Sequence, residues 1–255
     1  MKNQINNKFT VYGLNSSIAV LNSNNCLVEY IYIAKDTLAF KDERLKKIIN
    51  KNEYTNKVNL TDLNKIKTHK NTNRTQGVLV CFRFNGIKES VYDFLPNQNT
   101  SKDNCILILD QLEDPQNLGQ IVRTCECAGV DKILLTRNKS VKLSDTCLQV
   151  SQGAFVNIAF YICTNLRDSL SILKKNNFWI VALENKLEGA QSWDTVNLKG
   201  NIGIIIGSEG RGIRKLTLKN SDYIATIPMQ GEINSLNASA ASSAILFERL
   251  RQILN

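Results

Sequence analysis

Two short segments of this 255-residue chain carry glycines and polar groups that packing alone does not require. In NLGQIVRTCECAG (117–129), Leu118, Ile121, Val122, Cys125 and Ala128 recur at helical spacing as a buried stripe, with Asn117 placed to cap the helix and Gly129 to end it. Arg123 falls on the opposite face. Gly119 in the first turn is poor helix chemistry, which points to a close approach to the backbone. In IGIIIGSEGRGI (202–213), Gly207, Gly210 and Gly212 follow an apolar run and open a helix, so backbone N–H groups can meet a nucleotide-like ligand with no side chain between. Glu209 in that loop would repel a pyrophosphate; a nucleoside carrying positive charge suits it better.

A third segment, IPMQGEINSLNASAASSAILFERL (227–250), runs from a strand through a loop into a helix. Ile227, Pro228 and Met229 form an apolar, semi-rigid wall. Ser235 or Asn234 can cap the helix, which leaves Asn237 and Ser239 as uncommitted polar groups. Ala238, Ala241 and Ser242 lie at i, i+3 and i+4, a face suited to tight packing against a second chain or a chain threaded through a loop.

Much chemistry is excluded. His69 is the one histidine, in the polar stretch THKNTNRTQG and far from any nucleophile signature, which argues against Ser-His-Asp and Cys-His catalysis. The seven cysteines are odd in number and lack a CxxC pair, so they read as small apolar residues of a reducing compartment rather than a zinc site. No GxGxxG stands at the first strand-to-helix turn, against a nucleotide-dependent dehydrogenase, and no GK[ST] completes a phosphate loop. No apolar run approaches the roughly 20 residues of a membrane span, and MKNQINNKFTVYG carries no targeting pattern, so a cytoplasmic protein is expected.

The elements that must position these residues alternate strictly beyond residue 104. Strands are expected at 105–110, 131–136, 157–163, 179–184, 202–207 and 223–229, with helices near 117–128, 144–152, 165–176, 212–220 and 235–253. Continuous apolar strands separated by helices indicate a parallel sheet covered on both faces, with ligands beyond the carboxyl ends of its strands. Upstream, strands at 27–34 and 76–84 and helices at 40–50 and 61–68 make a small α/β unit. The stretch 97–104 has no apolar residue and reads as a linker between domains at 1–96 and 105–255. Net charge divides unevenly: +7 on residues 1–103 and +2 on 104–255. A basic segment joined to a near-neutral one suggests a polyanion-binding part and a working part.

Together the three motif segments resemble the SpoU/TrmH-type RNA ribose 2′-O-methyltransferases, the trefoil-knotted SPOUT enzymes that use S-adenosylmethionine (AdoMet). The N-x-G-x-x-x-R motif is matched by Asn117, Gly119 and Arg123, and G-x-E-G-x-G by Gly207, Glu209, Gly210 and Gly212. I-P-M-x-G is matched by Ile227, Pro228, Met229 and Gly231, and S-L-N-x-S-x-A by Ser235, Leu236, Asn237, Ser239 and Ala241. VYGLNSSIAVL (11–21) and RTQGVLV (74–80) look like the ends of the small RNA-binding domain of bacterial 23S rRNA guanosine-2′-O-methyltransferases. Thr75 stands where that family often has His, and Ala159 where it commonly has Pro.

The resemblance implies an α/β protein with a small N-terminal RNA-binding domain and a C-terminal parallel-sheet domain holding a deep trefoil knot. It implies methyl transfer from AdoMet to a ribose 2′-hydroxyl, with 23S rRNA guanosine as substrate, a homodimer, and no metal. Asn117, Arg123, Glu209, Ser235 and Asn237 would be catalytic, and Gly207, Ile227, Met229 and Leu236 would bind the cofactor. A tRNA ribose methyltransferase and a non-catalytic RNA-binding protein that retains the fold remain alternatives.

Overall fold

The computed structural model describes residues 7–70, 74–94, 103–185 and 187–255. Two compact units divide the chain, Met1–Gly86 with Leu143–Val156, and Ile87–Lys142 with Asn157–Asn255. Residues 97–102 of the expected linker lie outside the described residues, as does the side chain of His69. No described helix is long and apolar enough to cross a membrane.

The first unit runs β1 (Lys8–Tyr12), α1 (Leu14–Leu21), β2 (Cys26–Ala34), α2 (Leu38–Lys41), α3 (Glu43–Ile49), β3 (Val58–Thr61), α4 (Leu63–Lys70) and β4 (Val78–Phe84). Its sheet has the order β1-β4-β2-β3, with β4 antiparallel to both neighbours and β3 parallel to β2. The helix expected over 40–50 is two helices, because Asp42 leaves the helical region and its carboxylate accepts from Arg44 N and Leu45 N, both at 3.0 Å. β3 escaped the sequence reading because this edge strand of four has no fully buried residue to set a period.

The second unit begins with β5 (Ile87–Lys88), β6 (Cys105–Asp110), α5 (Pro115–Cys127) and β7 (Lys132–Thr136). The chain then leaves this sheet. Ser144 caps α6 (Asp145–Val150), whose polar side chains cover the open edge of β1. Thr10 N donates to Asp145 Oδ1 at 3.0 Å, and the Gln149 amide pairs with Tyr12 N at 2.9 Å and Tyr12 O at 3.0 Å. Two side chains one helical turn apart thus replace a neighbouring strand. Just beyond, Phe155 stacks on Phe82 and meets Phe84 edge-on, with centroids 5.7 and 5.4 Å apart. The helix expected over 144–152 forms over Asp145–Val150, and it packs with the N-terminal strands.

The chain returns as β8 (Ala159–Cys163), α7 (Leu166–Lys175), β9 (Trp179–Leu183), β10 (Gln191–Ser192), β11 (Ile202–Gly207), α8 (Lys215–Lys219), β12 (Tyr223–Thr226) and α9 (Ala238–Leu254). Every pair in the order β10-β12-β9-β11-β6-β7-β8-β5 is parallel. All of β6 is buried, as a sheet covered on both faces requires. Ile106, Ile108, Ile180 and Ile205 share one core with Leu166, Leu170 and Leu173 of α7. Burying each such side chain contributes about 1.5–3 kcal/mol. On the helical side of the site, α9 packs along both α5 and β11. At Ala159 the N–H donates to Asp131 O at 2.8 Å, a bond that a proline there could not make.

Candidate active site

Three strand ends of the second unit bring their polar residues together. Asp114 caps α5 by accepting from Gln116 N at 2.9 Å, so Asn117 is free of the capping role expected of it and sits buried in the first turn. Its Nδ2 donates to Glu209 Oε1 in the glycine loop. Asn237 Nδ2 donates to the same carboxylate oxygen at 2.8 Å and to Asn117 Oδ1 at 3.0 Å. Asn237 is itself the cap of α9, its Oδ1 accepting from Ser239 N at 2.8 Å; neither Ser235 nor Asn234 takes that part. Ser239 Oγ lies 2.6 Å from Asn237 Oδ1 and 2.7 Å from Gln120 Oε1, which fixes the oxygen end of the Asn237 amide and turns its Nδ2 toward Glu209.

The glycine loop closes on itself instead of opening a helix directly. Ser208 and Gly212 exchange two backbone hydrogen bonds, at 3.2 and 3.0 Å, and α8 begins only at Lys215. A Cβ on Gly207 would run into the Gly212 carbonyl carbon and the Ile213 nitrogen. Gly212 has φ of +66°, and a Cβ there would strike the Glu184 carboxylate. Glu184, just past β9, accepts from Ile213 N at 2.7 Å and from Asn185 N at 3.1 Å. Asn185 then holds the following loop: its Oδ1 accepts from Thr226 Oγ1 at 3.0 Å and Ile227 N at 3.3 Å, and its Nδ2 donates to Asn234 O at 3.1 Å. With Ile227 N so engaged and Pro228 lacking an N–H, β12 stops at Thr226, short of the expected Met229.

Between these loops lies a cleft that opens to solvent. Gly207, Ile227, Met229, Ser235 and Leu236 all line it, as do Ala238 and Ala241. The small residues of α9 therefore serve two purposes within one chain. Ala238 and Ala241 leave room for the cleft, while Ser239 and Ser243 meet Gln120 and Thr124 across a close seam with α5. Ser242, buried, returns its hydroxyl to Ala238 O at 2.7 Å.

Arg123 and Ser235 are the predicted catalytic residues that this network leaves out; Ser235 lines the cleft, and Arg123 does not. Arg123 is exposed on α5, with no hydrogen bond or ion pair among the described residues. Three groups that the sequence reading passed over hold the loops in place: Glu184, Asn185 and Asp110. Asp110, fully buried at the end of β6, accepts from Arg214 Nε at 2.8 Å and Arg214 N at 3.3 Å, tying the far end of the glycine loop to the sheet. A carboxylate closing an otherwise apolar strand was the available signal in both CILILD and WIVALE. No group of three or more His, Cys, Asp or Glu side chains is placed to hold a metal among the described residues. The cysteines are unpaired, and burial pushes the Cys26 and Cys147 thiols up to about 12.

Comparison with known proteins bears on the same residues. A protein of Staphylococcus saprophyticus named as a TrmH family tRNA/rRNA methyltransferase is 39% identical over 163 residues, 63% of this chain and 65% of its own length. The match thus spans just under two thirds of that curated relative. An AdoMet-bound rRNA methyltransferase from Sinorhizobium meliloti shares the fold of both units, with a TM-score of 0.80 at 21% identity over 98% of this chain and 89% of that one. The TrmH/SpoU tRNA modifying enzyme of A. aeolicus is 26% identical and matches 59% of this chain and 76% of its own, with a TM-score of 0.54. Residues 104–247, more than half of the chain and every motif residue from Asn117 to Ala241, match the family profile, and the chain belongs to the SpoU rRNA Methylase family.

Proposed function

We propose that this protein transfers a methyl group from AdoMet to a ribose 2′-hydroxyl of structured RNA, with a guanosine of 23S rRNA as the substrate. One observation carries the reading: Glu209 and Asn237, bonded to each other and to Asn117, are sequence neighbours of the cleft-lining Ser208, Leu236 and Ala238. A polar cluster therefore stands beside a cleft at the carboxyl ends of parallel strands, where such sheets bind ligands. The residues present fit AdoMet. Ile227, Met229 and Leu236 offer apolar surface to an adenine, and Gly207 keeps backbone close, without a side chain between.

AdoMet supplies an electrophilic methyl group on a sulfonium. Transfer would break the C–S bond, form the O–C bond and pass the hydroxyl proton to water, so the protein's task is positioning and charge stabilisation. Asn117, Glu209, Ser235 and Asn237 hold the ribose and its surroundings. Arg123 faces the nucleophile: a guanidinium keeps its proton at any working pH, so it stabilises the developing negative charge and does not act as a base. Residues 1–103, at +7, hold the RNA. The two-unit architecture shared with the S. meliloti rRNA enzyme favours rRNA over tRNA. A homodimer in the cytoplasm completes the proposal, and unpaired thiols suit that reducing compartment.

The test is to map ribose methylation in total RNA with and without the gene, beside AdoMet binding by the purified protein. A single 23S guanosine that loses its methyl group is the expected result. A change confined to tRNA would move the substrate, and cofactor binding with no change in any RNA would leave an RNA-binding protein that retains the fold.

A further inference from the structure

We propose that Glu184 is a cofactor-recognition residue, whose carboxylate favours the sulfonium of AdoMet over the neutral thioether left after transfer. The inference rests on the methyl-transfer reading above. Among the residues lining the cleft, Glu184 alone has a charged side chain, and its carboxylate lies against Gly212, which also lines the cleft. The carboxylate is half-buried and makes no ion pair among the described residues. It cannot swing away. One oxygen is held by Ile213 N at 2.7 Å, the other by Asn185 N at 3.1 Å, and Gly212 presses on it so closely that a methyl group there would collide.

Two neutral amides orient the group without cancelling its charge, and each oxygen keeps a second lone pair for a ligand. A half-buried carboxylate that has hydrogen bonds but no ion-pair partner still gains from a cation placed beside it. Holding the glycine loop in place would not by itself call for a full charge on a residue that lines the cleft. AdoMet carries a positive charge on sulfur, and S-adenosylhomocysteine, identical in adenine, ribose and amino-acid tail, does not. A negative charge beside the cofactor therefore acts on one of the pair far more than on the other. Such a difference also assists turnover, because the spent cofactor loses the attraction that held its precursor.

The experiment is calorimetric titration of the full-length protein with AdoMet and, separately, with S-adenosylhomocysteine. Wild type is compared with Glu184→Gln and Glu184→Asp, and a thermal melt of each confirms folding. Glu184→Gln should weaken AdoMet about tenfold more than it weakens S-adenosylhomocysteine, and Glu184→Asp, which keeps the charge, should preserve the wild-type ratio of the two affinities. Equal weakening of both ligands by Glu184→Gln, or of neither, would mean that the residue only holds the loop, and the proposal fails. A wild-type protein that binds neither ligand would instead overturn the methyltransferase reading.

Discussion

At Arg123 the sequence motif and the hydrogen-bond network diverge. Asn117, Glu209 and Asn237 are bonded to one another, yet Arg123 stands exposed on α5 without a partner among the described residues. An arginine that supports neither packing nor a network is free for substrate. Arg123→Ala should leave the melting temperature and AdoMet affinity near wild type, as for a surface change. Methyl transfer to RNA should fall by about 10²-fold or more, the usual cost of losing one transition-state donor. Near-normal single-turnover rates would remove Arg123 from the chemistry. The exposed place of Arg123 was legible in the sequence, because it falls off the apolar stripe of α5. Glu184 and Asp110 were not, since a carboxylate after five apolar residues looks the same whether it enters solvent or turns back to clamp a loop. Only the loop's return, with Ile213 N on Glu184 and Arg214 on Asp110, separates the two cases.

The start of α9 shows the same limit for a whole element. The Ser/Asn/Ala composition of residues 234–243 marked it as unusual, and the helix is there, over Ala238–Leu254. Which polar residue caps it was not legible, because Asn234, Ser235 and Asn237 are equally good caps by type. Asn237 holds the place because its Nδ2 must also reach Glu209. The packing partner of the small face was not legible either, as Ala at i and i+3 suits a helix seam or a cavity wall equally. Ala241→Leu distinguishes them. As a cleft-lining residue it should lower AdoMet affinity about tenfold or more, ~1.4 kcal/mol, with little change in melting temperature. Overpacking of a seam would instead cost ~1–3 kcal/mol of stability and leave the cofactor bound, and that result would sink the assignment.

On the scale of the whole molecule, the strict alternation of strands and helices foretold the parallel sheet nearly element by element. It could not show which core α6 joins, because Cys147, Leu148 and Phe155 form an ordinary apolar pattern that either core would accept. By leaving the second unit at Leu143 and returning after Val156, the chain runs between the units three times, at residues 86–87, 142–143 and 156–157. A single nick between the two segments of the N-terminal unit therefore leaves residues 143–156 on the other piece. With a protease site introduced between residues 97 and 102, complete cleavage should give two bands on a denaturing gel but one particle by native mass measurement. The shorter piece stays docked on residues 143–156, where the Gln149 amide and the Phe155 ring remain its own sheet's edge and core. Separation into two particles would mean that this contact is too weak to survive cutting. If the particle stays whole, the peptide from 143 to 156 works as a covalent tenon, built into one half of the chain and seated in the other.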